Sequence, residues 1–253
     1  MAGARRKRRH IDTRLLVLLL AVCACTAVFA AVQLATGLRP YNEAGREYTA
    51  LRERYAPEPT GNGEPTRAAP TAAEQAQDPA AVNPDYVGWL EIAGTDGGHL
   101  PNISYPVVQG ADNDKYLTTT FEGHANKLGA IFLDYRCAGA FDAPHAILYG
   151  HNAKDGSMFG SLAALLELAP EDWPDITIIT ADGAALAYEI YAVRKTDIHD
   201  PAYRLDFADD AQLAAFAAEM NAPQDTARLL TLSTCTDGGS MDDRLLVLAA
   251  LVE

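Results

Sequence analysis

Residues 15–32 form an unbroken run of 18 residues whose only polar member is Thr26. As a helix rising about 1.5 Å per residue, the run spans roughly 27 Å, close to the hydrocarbon thickness of a bilayer. Arg5, Arg6, Lys7, Arg8 and Arg9 precede it. The positive-inside rule then places the N-terminus in the cytoplasm and everything after about residue 36 outside. A cleaved signal peptide is the alternative. The run is long for one, no clear small-x-small site follows it, and Val22 before Cys23 fits a lipoprotein site poorly.

The formal charge of −14 conceals the same division, because residues 1–14 carry +5 and the remaining 239 sum to −19. A surface that acidic repels polyanions, which excludes a nucleic-acid-binding domain. With 49% hydrophobic and 21% charged residues, the rest of the chain suits a globular protein.

Residues 1–14 are read as a cytoplasmic tip and residues 15–35 as a transmembrane anchor. Residues 36–80 form a juxtamembrane helix and a linker. Tyr41, Ala44, Tyr48, Leu51 and Tyr55 recur at spacings of 3 and 4, one apolar stripe on a helix over residues 42–54. That stripe suits either a spacer or a helix packed on the domain. Residues 57–80 contain five prolines and no Val, Ile, Leu, Met or aromatic residue, so they cannot bury a core and read as an extended linker. Residues 81–253 remain as the compact domain, ample for one core.

In that domain the apolar runs are short. Eight strands are expected, over residues 87–92, 104–108, 129–133, 145–149, 176–180, 185–193, 228–233 and 245–252, with helices over 159–168 and 209–219. Strands without regular βαβ alternation predict a mainly β fold, a barrel with inserted helices.

Two of the four cysteines, Cys23 and Cys25, fall in the apolar run. Cys137 and Cys235 remain, as one disulfide or as free thiols. Cys235 ends an apolar strand and precedes the loop Thr236-Asp237-Gly238-Gly239-Ser240, held rigidly yet reachable from solvent. A thiol acts as a nucleophile once a base draws off its proton. His151 also ends an apolar strand before a loop, in Leu148-Tyr149-Gly150-His151-Asn152. His99, His124 and His199 lie in polar, turn-like stretches. Two strands side by side would join Cys235 and His151. A hairpin back from Cys235 would return Arg244, whose guanidinium can stabilise an oxyanion. The acids Asp112, Asp114, Asp242 and Asp243 lack a calcium-loop pattern and no histidine pair has ligand spacing, so no metal is expected.

Thr231-Leu232-Ser233-Thr234-Cys235 resembles the signature of the sortases, cysteine transpeptidases of Gram-positive surfaces. Asn83-Pro84-Asp85-Tyr86-Val87-Gly88-Trp89, Tyr105-Pro106-Val107-Val108-Gln109, Asp112-Asn113-Asp114-Lys115-Tyr116-Leu117, Ile131-Phe132-Leu133-Asp134-Tyr135-Arg136 and the string from Tyr149 to Phe159 are similar to class B members. The resemblance implies an eight-stranded sortase-type barrel with Cys235 as nucleophile, His151 as general acid/base and Arg244 as stabilising cation. Asp237, Thr234 and Asn152 are supporting candidates. It also implies no cofactor. The implied partners are secreted proteins bearing a C-terminal sorting motif and the amine of a cell-wall precursor or pilin subunit, met at the outer membrane face. Cys137 departs from the family pattern and raises the prospect of oxidation with Cys235. A hydrolytic cysteine peptidase or a silent scaffold on the same fold are the alternatives.

Overall fold

A computed structural model of the chain describes residues 13–56, 78–94, 101–238 and 240–252. Most of the expected linker, residues 57–77, lies outside the described residues. Two compact units are present, Met1–Asn42 and Glu43–Glu253.

Helix α1 (Thr13–Tyr55) runs through the residues expected to form separate anchor and juxtamembrane helices. Pro40 lies inside it, where the missing N–H removes one ladder bond. Thr36, four residues earlier, turns its hydroxyl back to the Val32 and Gln33 carbonyls. In the first unit the side chains from Leu16 to Leu38 are exposed, and the helix is long and apolar enough to cross a membrane.

The second unit is a closed barrel. Its strands are β1 (Tyr86–Ile92), β2 (Ile103–Val108), β3 (Ile131–Leu133), β4 (His145–Tyr149), β5 (Ile176–Thr180), β6 (Ala185–Asp197), β7 (Leu229–Cys235) and β8 (Asp243–Leu251). The order around the barrel is β1-β2-β3-β4-β7-β8-β6-β5. All eight expected strands are present. Two neighbouring pairs, β2–β3 and β4–β7, are parallel; the other pairs are antiparallel. Trp89, Leu90, Val107, Ile131, Leu133, Ile147, Ile178 and Leu232 are among its fully buried side chains. Closure removes the exposed edges that an open sheet of this size would present.

Short helices decorate the barrel. A four-residue helix, α2 (Pro79–Val82), precedes β1 and is capped by Asp78, whose carboxylate accepts from the Ala80 amide. The helix expected over residues 159–168 is a 3-10 helix, Gly160–Glu167, burying Leu162 and Leu165. Its first residue must be glycine, since a Cβ on Gly160 would sit 2.1 Å from the Ala153 carbonyl oxygen. Helix α3 (Asp210–Glu219) begins at Asp209, whose side chain caps the Gln212 amide. Its Leu213, Phe216 and Ala217 cover Leu229 of β7 and Leu246, Leu248 and Ala250 of β8. Within the second unit, residues 43–55 of α1 pack as the apolar stripe allows, with Ala44, Tyr48 and Leu51 buried.

Candidate active site

Side chains alternate along β7, so Leu229, Thr231, Ser233 and Cys235 share the face covered by α3, while Leu230, Leu232 and Thr234 take the other. Cys235 is the last residue of the strand and the first exposed one. The strand therefore fixes the thiol's backbone while solvent reaches its sulfur.

The β7–β8 ladder pairs Cys235 with Arg244 and Ser233 with Leu246. Directly opposed residues project to the same face with Cβ atoms about 5 Å apart. The Arg244 Nη1 donates to the Met241 and Asp243 carbonyl oxygens, at 2.7 and 2.9 Å. Both hydrogens of that nitrogen are thus used within the turn, and Nε and Nη2 are left for a ligand.

On the other side, β4 runs parallel to β7 with Tyr149 beside Ser233. The Gly150 amide carries the ladder one step further by donating to the Ser233 carbonyl at 3.3 Å. His151 follows Tyr149 by two residues, as Cys235 follows Ser233, so the parallel register carries both toward the same end of the barrel. Only glycine fits at the intervening position, since a Cβ there would lie 2.5 Å from Ile131 Cδ1 and 2.8 Å from the Phe159 ring. The His151 Nε2 donates to the Leu117 carbonyl at 2.7 Å. A carbonyl can only accept, so a neutral ring carries its proton on Nε2 and keeps the Nδ1 lone pair as the base.

The three residues expected to carry chemistry are therefore gathered at one end of the barrel by three adjacent strands. Asp237 is exposed in the loop after β7. Asn152 follows His151 and bridges to Met158, half-buried. Thr234 is buried on the opposite face from Cys235, and its hydroxyl has no partner among the described residues.

Tyr203 carried no signal in the sequence reading, and Tyr149, Asp134, Asn113 and Arg136 entered it only as parts of family-like strings. Tyr203 belongs to the segment between β6 and α3, and its hydroxyl meets Ser233 Oγ at 2.7 Å. It stacks on Tyr149 with ring centroids 6.5 Å apart. Burial raises its phenol pKa, and both Arg244 and Cys235 lie close enough to act on it. Tyr149 donates in turn to Asp134. Asp134 is fully buried and also accepts from Asn113 and from Arg136 through Nε and Nη2. Burial alone would push this carboxyl up. The Arg136 hydrogen bonds and the others outweigh it and hold Asp134 below the usual carboxylate range.

His145, at the other end of β4, is structural. Its Nδ1 donates to the Arg204 carbonyl at 2.8 Å and its Nε2 lies 2.9 Å from Thr231 Oγ1, so the hydroxyl donates to Nε2. Burial drives its pKa down to about 4, which keeps the ring neutral.

Cys137 is buried, with its thiol 3.7 Å from the His145 carbonyl. Burial pushes that thiol up to about 11. His145 sits beside Leu229, six residues along β7 from Cys235, or about 20 Å at 3.3 Å per residue. Both thiols are free, and the spacing is far beyond disulfide reach. Among the described residues, the side chains spaced to hold a metal are Glu47, Glu122 and His124. Glu47 there already accepts from Thr120 Oγ1 and the Glu122 amide.

Comparison with known proteins agrees with this arrangement. The sortase domain family matches residues 99–252. Sortase B of Staphylococcus aureus is 29% identical over 180 residues, which cover 68% of this chain and 71% of that protein. A crystal structure of sortase B from Bacillus anthracis superposes with a TM-score of 0.66 at 28% identity, covering 85% of this chain and 99% of that one. A Staphylococcus aureus sortase B–substrate complex superposes with a TM-score of 0.58 at 30% identity, covering 70% of this chain and 85% of that one. With its closed eight-stranded barrel and its cysteine at the mouth of β7, the chain belongs to the sortase family and is a class B cysteine transpeptidase.

Proposed function

We propose that this protein is a membrane-anchored transpeptidase that cleaves the sorting motif of secreted proteins and passes the acyl group to an amine of a cell-wall precursor or pilin subunit. The observation that carries this reading is that Cys235 pairs with Arg244 across β7–β8 while β4, which His151 follows by two residues, runs parallel to β7 on its other side.

In the first step the Cys235 thiolate attacks the scissile carbonyl, forming a C–S bond and moving an electron pair onto oxygen. The free Nε and Nη2 of Arg244 stabilise that oxyanion. His151, protonated on both nitrogens, gives a proton to the departing amine as the C–N bond breaks, leaving a thioester on Cys235. In the second step the incoming amine attacks the thioester. His151, now neutral, takes the excess proton, and the thiolate leaves. The thioester conserves the energy of the cleaved amide, so the residues present suffice for both steps. Asp237, Thr234 and Asn152 are supporting residues in this scheme. Their placement suggests three ways of acting: Asp237 by charge from the loop, Asn152 by setting the backbone after His151, and Thr234 by packing beneath the strand end.

Tip, anchor and catalytic domain divide as residues 1–14, 15–35 and 81–253, with the helix and linker between. The basic tip before the apolar run supports a cytoplasmic N-terminus and an extracellular barrel. The solved Staphylococcus aureus sortase B–substrate complex supports substrate binding by this fold. Mass spectrometry of the purified protein with candidate sorting peptides tests the reading. A covalent adduct that forms on wild type and not on Cys235→Ala is expected. With an added amine, the product should be the amide in place of the free acid. An adduct that survives Cys235→Ala, or hydrolysis alone at every amine concentration, overturns it.

A further inference from the structure

The bond between His151 and Leu117 has a support that reaches back to α1. Leu117 opens a small hairpin in which Thr119 bridges Ala125, and the Asn126 amide donates to Thr118 O. The chain returns through Gly129 directly beneath Leu117. A Cβ on Gly129 would lie 2.1 Å from the Tyr116 carbonyl oxygen and 2.9 Å from the Leu117 carbonyl oxygen. Only glycine allows this approach, at a φ of +55°. The next residue, Ala130, donates its amide to Tyr116 O at 3.0 Å. The orientation of the Leu117 peptide is thus set by the strand of backbone at residues 129–130.

Residues 43–55 of α1 grip this hairpin at both ends. At its base, the buried Tyr48 hydroxyl donates to Gly129 O at 2.6 Å. At its tip, the largely buried Glu47 carboxylate accepts from Thr120 Oγ1 at 2.9 Å and from the Glu122 amide at 3.0 Å, and meets His124 Nδ1 at 3.1 Å. Arg52 lies over the Tyr105 ring and Tyr48 packs edge-on against it. The unbroken sequence of contacts is Tyr48 to Gly129, Gly129 to Leu117, and Leu117 to His151.

We propose that Glu47 and Tyr48 are positioning residues for the general acid/base: they hold the 118–129 hairpin so that the Leu117 carbonyl receives the Nε2 proton of His151. The segment of α1 from residue 43 to 55 is then part of the catalytic apparatus, beyond any role in tethering. The inference rests on His151 acting as acid/base in the function proposed above. Loosening the hairpin frees the ring to populate both tautomers and to turn from its working orientation. Turnover falls, while Cys235 and Arg244, which the hairpin does not hold, keep their pairing.

The full-length protein in detergent micelles allows the test. Wild type, Tyr48→Phe, Tyr48→Phe/Glu47→Ala and His151→Gln are compared in peptide transpeptidation, well below the melting temperature of each. Imidazole ¹⁵N spectra are recorded in parallel, with the His151 signals identified by their loss in His151→Gln. The neutral wild-type ring should show the Nε2–H tautomer. The double variant should show averaged tautomer signals, with kcat reduced at least fivefold and KM within twofold. Tyr48→Phe, which removes one oxygen, should fall between and serves alone if the double variant does not fold. Averaged wild-type signals, unchanged signals in the folded variants, or kcat within twofold of wild type overturns the inference, even if the variants melt earlier. If His151→Gln itself turns over at the wild-type rate, the acid/base assignment fails instead.

Discussion

Arg244 stands directly across the β7–β8 ladder from Cys235, on the same face, with its Nη1 tied to the carbonyls of Met241 and Asp243. The backbone of the tight β7–β8 connection therefore aims the guanidinium, and a substitution there should report on charge and geometry together.

Replacing Arg244 with Ala should lower kcat by about 10²–10³, the cost of losing one oxyanion donor. Lysine should rescue little of this, because its donors share one nitrogen, which cannot sit at the Met241 and Asp243 carbonyls and also reach out as Nε and Nη2 do. Steady-state transpeptidation checks the loss. The rate at which a small alkylating agent modifies Cys235 should change far less.

The two thiols of the barrel unit should differ sharply in reactivity. Cys235 is exposed, whereas Cys137 is buried with its thiol pushed up to about 11. Iodoacetamide at neutral pH should label Cys235 in the native protein and Cys137 only after denaturation. Peptide mapping by mass spectrometry reads both, and Cys137→Ala should retain adduct formation at Cys235.

His145 should make the barrel acid-sensitive. Its pKa is about 4 in the folded protein against 6.5 as an ordinary histidine, so between these values the unfolded chain binds more protons. Stability is then fully present above about pH 6.5 and lost as pH falls toward 4, by on the order of 3 kcal/mol. His145→Gln, which keeps a donor and an acceptor, should flatten the dependence of melting temperature on pH in that window. An unchanged slope would exclude His145 as its source.

Asp134→Ala should destabilise the fold by about 1–3 kcal/mol, since it leaves the Tyr149 and Asn113 donors without their acceptor while the half-exposed Arg136 turns to solvent. Chemical denaturation measures it. Arg136→Ala should cost more than Asp134→Ala, because it leaves the fully buried Asp134 carboxylate without its counter-ion.

Strand positions were legible because apolar runs and turn residues mark a half-buried pleat directly; β4 and β5 fall where the pattern puts them. The pairing of Cys235 with Arg244 was also within reach, as a hairpin is a local event. The neighbourhood of His151 was less so: its strand joins β7 in parallel only after β5 and β6 have been laid down elsewhere. His145 and His151 lie six residues apart on one run, and composition could not tell the neutral core residue from the one facing solvent. The Leu117 carbonyl is backbone and leaves no mark in a sequence. Helix α1 was read as two pieces because two different apolar patterns mark it, an unbroken run over 15–32 and a stripe at Tyr41, Ala44, Tyr48, Leu51 and Tyr55, yet the helix is continuous.

The parallel seam between β4 and β7 also governs when the protein becomes an enzyme. Its two reactive residues come from strands that meet only after a long crossover, and such contacts form late because their loop entropy must be overcome first. A chain that has folded as far as β6 holds His151 and no nucleophile; one that has not yet zipped β7 against β4 has a thiol with no base. A site that draws on both strands is therefore complete only once the barrel has closed.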